Sequence, residues 1–372
     1  MQPAILVIDG TYIYIQKSGQ YLFQRRSYSM HKHKPLVKPM MFVTTSGYIV
    51  SVLGPYFADS KNNDAGILNH IIRRNFEEIN DWLADNDVVI VDRGFRDSVE
   101  LLQELGIQTE MPIFSKKRQH TTAESNASRL VTKIRWVVES VNGRLKTWKS
   151  LDRILPNSPI PFIGDMVRIV CAICNTYRLE LSTGDTQQDL LGTKMLFLSK
   201  QKNNLQAKME EEGLASKRSL WTKINRSASI LFPVLSEEDL RNLTLGVYQI
   251  NLARGYTKEH MNATGGYEVS VCQVESNIIS AKIQSRHVSS KVHQSWIMFN
   301  ECSIQGWYCK CRTGARTVGS CAHVASVIWY LGFAKHSDKE FHVGKDWSQF
   351  LMDAASPEPV MVDHSDEESL EE

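Results

Sequence analysis

Three acidic residues stand where acids can do chemistry. Asp9 follows the apolar run Ala4-Ile5-Leu6-Val7-Ile8, and Asp92 follows Val88-Val89-Ile90-Val91. If the two runs are parallel neighbouring strands, their carboxyl ends share one edge, where open α/β sheets place their chemistry. Carboxylates a few ångströms apart repel one another and need protons or cations; hard divalent metals with oxygen ligands meet that need. The third acid, Glu139, lies in a long amphipathic stretch. Arg135, Glu139, Asn142 and Lys146 fall on one helical face, rotated about 100° from an apolar stripe of Ile134, Val137, Val138, Val141, Leu145 and Trp148. Such a helix can bury its valines against a sheet and still aim Glu139 along the edge toward the two aspartates. Arg135, Asn142 and Lys146 would then meet anionic phosphates. Each piece alone has a plainer reading: Asp9-Gly10 and Asp92-Arg93-Gly94 as strand-ending turns, Glu139 as a solvated helix residue. It is the combination that points to a site.

A second group is more compact. Cys309-x-Cys311 and Cys321-x-His323 supply three thiolates and one imidazole, a complete tetrahedral set for one Zn²⁺. Four protein ligands close the coordination shell, so this zinc is structural, and it would fold a segment too short to build its own core. Lys310, Arg312 and Arg316 around it could contact nucleic acid or an acidic partner, or simply be solvated. Cys171 and Cys174 read as packed core thiols on an apolar helix, and Cys272 and Cys302 have no assigned role.

The segment Arg135-x3-Glu139-x6-Lys146 resembles the signature around the catalytic glutamate of insertion-sequence and Harbinger-type DDE transposases. Val7-Ile8-Asp9-Gly10-Thr11 resembles the family's first aspartate motif and Val91-Asp92-Arg93-Gly94-Phe95 its second, while Ser60 to Asp64 resembles a short polar stretch between them. The resemblance spans roughly residues 4–178. It implies an RNase H-like fold, nuclease and strand-transfer activity on double-stranded DNA, and two Mg²⁺ or Mn²⁺ ions held by Asp9, Asp92 and Glu139. One ion of such a pair activates a water and the other stabilises the leaving 3′ oxygen. The Cys-x-Cys, Cys-x-His spacing is similar to the SWIM zinc module. Thr132 departs from the family signature, which often carries Tyr three residues before the Arg. The helix-turn-helix that usually precedes the first motif in that family is not found here, so the expectation is either a fragment or isoform, or DNA gripped elsewhere or by a separate DNA-binding partner protein.

The elements that must position these groups follow from hydrophobic period and turn chemistry. Strands are expected at 4–8, Tyr21–Arg25, Met40–Thr45, Tyr48–Leu53 (paired across Ser46-Gly47), Val88–Val91 and Ile107–Phe114. Helices are expected over Ala65–Leu83, Ser98–Leu105, Ala123–Trp148 and Val167–Tyr177, with Pro156, Pro159 and Pro161 breaking the chain between the last two. Beyond them come a helix over Glu237–Ala253 capped by Ser236, strands over Tyr267–Gln284 and Val292–Phe299, and an apolar helix over Val324–Leu331. The expected fold class is α/β: an RNase H-like mixed sheet with flanking helices over 1–178, then a polar, partly helical linker over 179–235. A small α+β region follows over 236–335 with the zinc module at about 292–335, and an acidic, disordered tail over 336–372.

Composition is that of an ordinary globular chain: 372 residues, 42% hydrophobic and 23% charged. No apolar run is expected to cross a bilayer, so no membrane partner is expected. Seven acids and no Lys or Arg lie between Glu358 and the C-terminus, so the formal charge of +2 conceals +9 on the rest of the chain, a balance suited to a polyanion. An odd count of seven cysteines, three of them clustered with a histidine, points to a reducing compartment rather than a disulfide framework. A DNA role implies the nucleus, and a homo-oligomer is compatible with it. The alternative function is a domesticated DNA-binding or protein-interaction factor that keeps the fold, with the zinc module as its recognition element.

Overall fold

A computed structural model describes residues 3–114, 119–182, 186–224, 230–260, 268–286, 288, 290–337 and 350. The expected acidic tail lies outside these residues, apart from 336, 337 and 350.

The first half builds one mixed sheet. Its strands are β1 (Ile5–Gly10), β2 (Ile13–Tyr14), β3 (Tyr28–Ser29), β4 (Lys34–Thr44), β5 (Ile49–Tyr56), β6 (Val88–Ile90) and β7 (Gln108–Glu110). They run in the order β2-β4-β1-β6-β7, with β3 and β5 also pairing with β4. β1 is antiparallel to β4 and parallel to β6, so the neighbour relation needed for Asp9 and Asp92 is present. Side chains alternate across a strand. Val7, Met41, Val43 and Ile90 therefore face one side of the sheet, and Ile8, Met40, Phe42 and Val89 the other.

Helices cover both faces. Those of this half are α1 (Tyr21–Ser27), α2 (Asp64–Arg73), α3 (Ile79–Trp82), α4 (Val99–Glu104), α5 (Thr122–Lys146), α6 (Lys149–Asp152) and α7 (Ile163–Tyr177). The first face meets Val138, Val141 and Leu145 of α5 and Val167 and Val170 of α7; the second meets Ile67, Leu68, Ile71 and Ile72 of α2. Asp9 shares the parity of Val7, so its side chain leaves β1 on the α5 side.

Several local expectations are corrected. Tyr21–Arg25 is helical: the Gln20 side chain caps the Phe23 N–H, and Arg25 and Arg26 complement the carboxyl end of the helix dipole. The aromatic and aliphatic residues there suggested a strand, but local capping decides otherwise. The helix expected over Ala65–Leu83 stops at Arg73, because Asn75, Glu77 and Glu78 adopt left-handed backbone angles. Ile134, placed in the buried stripe of α5, is 37% exposed, and Arg135 is buried instead. One helical stretch, Ile160–Tyr177, is long and apolar enough to cross a membrane by length and composition, against expectation. It packs onto the sheet through Ile163, Val167, Val170, Cys171 and Cys174.

The second half builds a five-stranded antiparallel sheet from β8 (Trp221–Ile224), β9 (Val269–Cys272), β10 (Ile278–Gln284), β11 (Val292–Phe299) and β12 (Ile304–Cys309), in the order β12-β11-β10-β9-β8. Its helices are α8 (Thr186–Ser199), α9 (Asn204–Glu211), α10 (Glu237–Thr244), α11 (Tyr248–His260) and α12 (Ala322–Gly332). The stretch read as a partly helical linker thus also contributes an edge strand, β8. Ser236 and Asp239 form a reciprocal cap on α10, and Leu245 and Gly246 at positive φ divide the single helix expected there into α10 and α11. One face of this sheet packs on α10, α11 and α12, and the other on Leu205 and Met209 of α9.

Candidate functional site

Asp9 occupies the last turn of pleat in β1, opposite Met41 of β4. Asp92 lies two residues past β6, where its Oδ1 accepts the Arg93 N–H at 2.7 Å and caps a short 3₁₀ turn. The two carboxyls feel each other: Asp9 is pushed up to about 6, first by burial, then by the nearby charges of Asp64 and Asp92, with Arg135 opposing. A carboxyl in that environment favours a proton or a cation.

Arg135 explains how α5 joins the group. Its side chain is 10% exposed, with Nη1 3.5 Å from Asp92 Oδ1 and Nη2 3.9 Å from Glu139 Oε1. Glu139 itself is 61% exposed on the side chain. The helix thus lies against the sheet mouth, with Glu139 linked to Asp92 through the guanidinium. Lys146, two turns further on, is exposed; Asn142 is half-buried, its Oδ1 enclosed and without a hydrogen bond.

A fourth acid sits between the two aspartate motifs. Asp64 opens α2 after the Asn63 cap. A Cβ on Gly10 would lie 3.3 Å from Asp64 Oδ1, and one on Gly94 would lie 3.0 Å from Oδ2. The glycines after Asp9 and Asp92 therefore leave room for this carboxylate. Lys38 of β4 approaches it with Nζ 2.6 Å from Oδ1 and also donates to the Asn62 carbonyl at 2.9 Å. Tyr12 borders the group, its hydroxyl pushed up to about 12 by burial and by Asp64 and Asp9.

Sequence reasoning singled out neither Asp64 nor Lys38 as a site residue. A lysine within the apolar strand Leu36-Val37-Lys38-Pro39-Met40-Met41 was the available signal, because a buried ammonium needs a partner. The charge balance suits divalent cations. Asp9, Asp64 and Asp92 offer hard oxygen donors, and burial together with their mutual repulsion disfavours ionising Asp9. Among the described residues, these oxygens do not form a tight cage; the group with ligand atoms all within 4.8 Å of one another is the Cys/His set.

That set brings together Cys309, Cys311, Cys321 and His323, the three cysteines buried. His323 Nδ1 lies 3.8 Å from Cys309 Sγ and 3.9 Å from Cys321 Sγ. Tetrahedral zinc with ordinary bond lengths requires S···N edges of about 3.6 Å, so the group fits. Burial raises the Cys309 thiol, whereas hydrogen bonds from Cys309 and Cys311 lower that of Cys321. Cys309 ends β12, Cys321 caps α12, and the loop between folds back through Gly314, where a Cβ would meet the Cys309 carbonyl oxygen at 2.2 Å. Arg316, expected as a surface cation, is buried and donates to the carbonyls of Gly319 and Ser320, so it is a loop brace. Lys310 lies over the Trp296 ring, and Arg312 Nε contacts His120 Nε2 at 3.1 Å.

No curated protein matches the chain. Residues 8–175, from within β1 to near the end of α7, match the family model of the DDE superfamily endonuclease, a similarity that supports nuclease-type chemistry on DNA with divalent metal ions.

Proposed function

We propose that this chain is a DNA transposase-type endonuclease of the Harbinger-like DDE group, cutting phosphodiesters with two Mg²⁺ or Mn²⁺ ions and transferring strands. The observation that carries the reading is the meeting of Asp9, Asp92 and the Arg135–Glu139 face of α5 at one sheet edge, within the stretch that matches the family. A mixed sheet covered by helices on both faces supports the RNase H-like reading. Asp9, Asp92 and Glu139 would hold the ions. When bound, the ions would lower the pKa of a water and stabilise the leaving 3′ oxygen. Asp9 would act ionised. Arg135, released from Glu139, would turn its free N–H groups to a phosphate, and Lys146 would meet the next phosphate along the helix.

The division into a catalytic unit over 1–178 and a SWIM-type zinc module within 236–335 belongs to the same proposal, as do homo-oligomerisation, a separate DNA-binding partner and action in the nucleus. A second reading, a domesticated DNA-binding or protein-interaction factor, draws on Arg135 already engaging both Asp92 and Glu139.

The discriminating experiment is Mg²⁺-dependent nicking of a supercoiled plasmid by wild type, Asp92→Asn and Glu139→Gln. The endonuclease reading expects nicking by wild type and its loss in both variants with the melting temperature retained. Equal nicking by all three would refute the site. Absence of nicking in all three, with DNA still bound, would favour the second reading.

A further inference from the structure

Helix α5 belongs to both halves of the molecule. Its C-terminal half is buried on the first sheet through Val137, Val138, Val141 and Leu145. Its first two turns bury polar residues instead, Ser125, Asn126 and Ser128. Buried polar groups need partners, and those of Asn126 come from the zinc loop and the end of α8. Asn126 Oδ1 accepts the N–H groups of Thr317 and Val318 at 2.9 and 3.1 Å, and its Nδ2 donates to Thr317 Oγ1 at 2.8 Å and to the Ser199 carbonyl at 3.2 Å. Just before the helix, Gln119 Nε2 donates to the carbonyls of two zinc-set residues, Cys309 at 2.7 Å and Cys311 at 2.9 Å. The His120 N–H donates to the Arg312 carbonyl at 2.9 Å, and Thr122 Oγ1 donates to the Ala315 carbonyl at 3.1 Å.

The loop making these contacts has no helix or strand of its own between Cys309 and Ala322. It is closed by the Cys309, Cys311, Cys321 and His323 group, braced by Arg316, and folded back where glycines permit close approach. Order in the loop is therefore transmitted to α5, and α5 carries Glu139 about 20 Å along its axis from Asn126. We propose that the zinc loop is a positioning device for this helix: Gln119 and Asn126 are positioning residues through which it sets Arg135 and Glu139 against Asp9 and Asp92. The activity arm of the test rests on the endonuclease reading above; the exchange arm does not.

The test is hydrogen exchange on the full chain, zinc-loaded and after chelation, together with Asn126→Ala, which leaves all four zinc ligands in place. Chelation should speed exchange of the amides of residues 123–133 by about tenfold or more, while those of β1 stay protected. Asn126→Ala should keep its zinc, speed exchange in the same segment, and lower kcat for nicking with KM for DNA unchanged. Unaltered exchange in α5 after full zinc removal would overturn the proposal. So would equal loosening of β1, which is general unfolding, or a change in KM alone. If wild type does not nick DNA, the endonuclease reading fails, while the exchange result still decides whether the loop holds the helix.

Discussion

Lys38 sets its ammonium nitrogen 2.6 Å from Oδ1 of Asp64, joining the long strand β4 to the first residue of α2. The pair stands beside Asp9, whose carboxyl already feels Asp64 and Asp92. Removing the cation leaves three acids facing one another with less compensation. Lys38→Met should destabilise the metal-free protein by about 1–3 kcal/mol. Added Mg²⁺ should recover more stability in the variant than in wild type, because it supplies the missing positive charge. Denaturant melts with and without Mg²⁺ check this, and an equal Mg²⁺ response in both proteins would count against a shared cation site.

The pH dependence follows from Asp9, raised from an ordinary 3.8 to about 6. A carboxyl harder to ionise when folded contributes stability that is fully present below about pH 4 and lost as pH rises through about 6. The contribution is on the order of 3 kcal/mol. Metal-free wild type should therefore lose stability relative to Asp9→Asn across that window, while Mg²⁺ affinity rises in the same interval as Asp9 ionises. Parallel stability profiles for the two proteins would contradict the assignment.

Thiol reactivity reports on whether the Cys/His group holds zinc. Cys302 is exposed, whereas Cys171, Cys174, Cys272, Cys309, Cys311 and Cys321 are buried. In zinc-loaded protein, a thiol reagent should react rapidly with Cys302 alone. Chelation should add Cys309, Cys311 and Cys321 to the fast class while Cys171 and Cys174 stay slow in the first core. Mass mapping of the labelled cysteines gives the answer directly; fast labelling of Cys309 in zinc-loaded protein would argue against four-ligand coordination.

Gly314→Ala tests the loop. The added Cβ would meet the Cys309 carbonyl oxygen at 2.2 Å and its Cβ at 2.7 Å, both belonging to a zinc-set residue. Relieving that overlap must move the residue, so the expected cost is about 1–3 kcal/mol, together with a fall in bound zinc. Metal analysis beside a thermal melt separates the two effects. Full zinc content at the wild-type melting temperature would mean that the loop yields without cost.

Several parts of the candidate site are legible in the sequence, because they are local patterns. An apolar run ending in an acid marks β1 and the segment through Asp92. The valine spacing marks α5, and the short Cys-x-Cys and Cys-x-His spacings mark the Cys/His group. Where local signals competed, the reading failed. The aromatic start of α1 looked like a strand until its cap and terminal arginines were considered, and nothing in the periodicity of Ala65–Leu83 showed that Asn75 would turn left-handed.

The sequence alone settled that Arg135 and Glu139 share a helix face, because bond geometry fixes side-chain direction within a few residues. Only the tertiary structure brought Lys38 to Asp64 and laid Asn126 against Thr317, pairs far apart in the chain. Those meetings depend on strand order, on the parallel pairing of β1 with β6, and on one helix lying across two cores, none of which is encoded at short range.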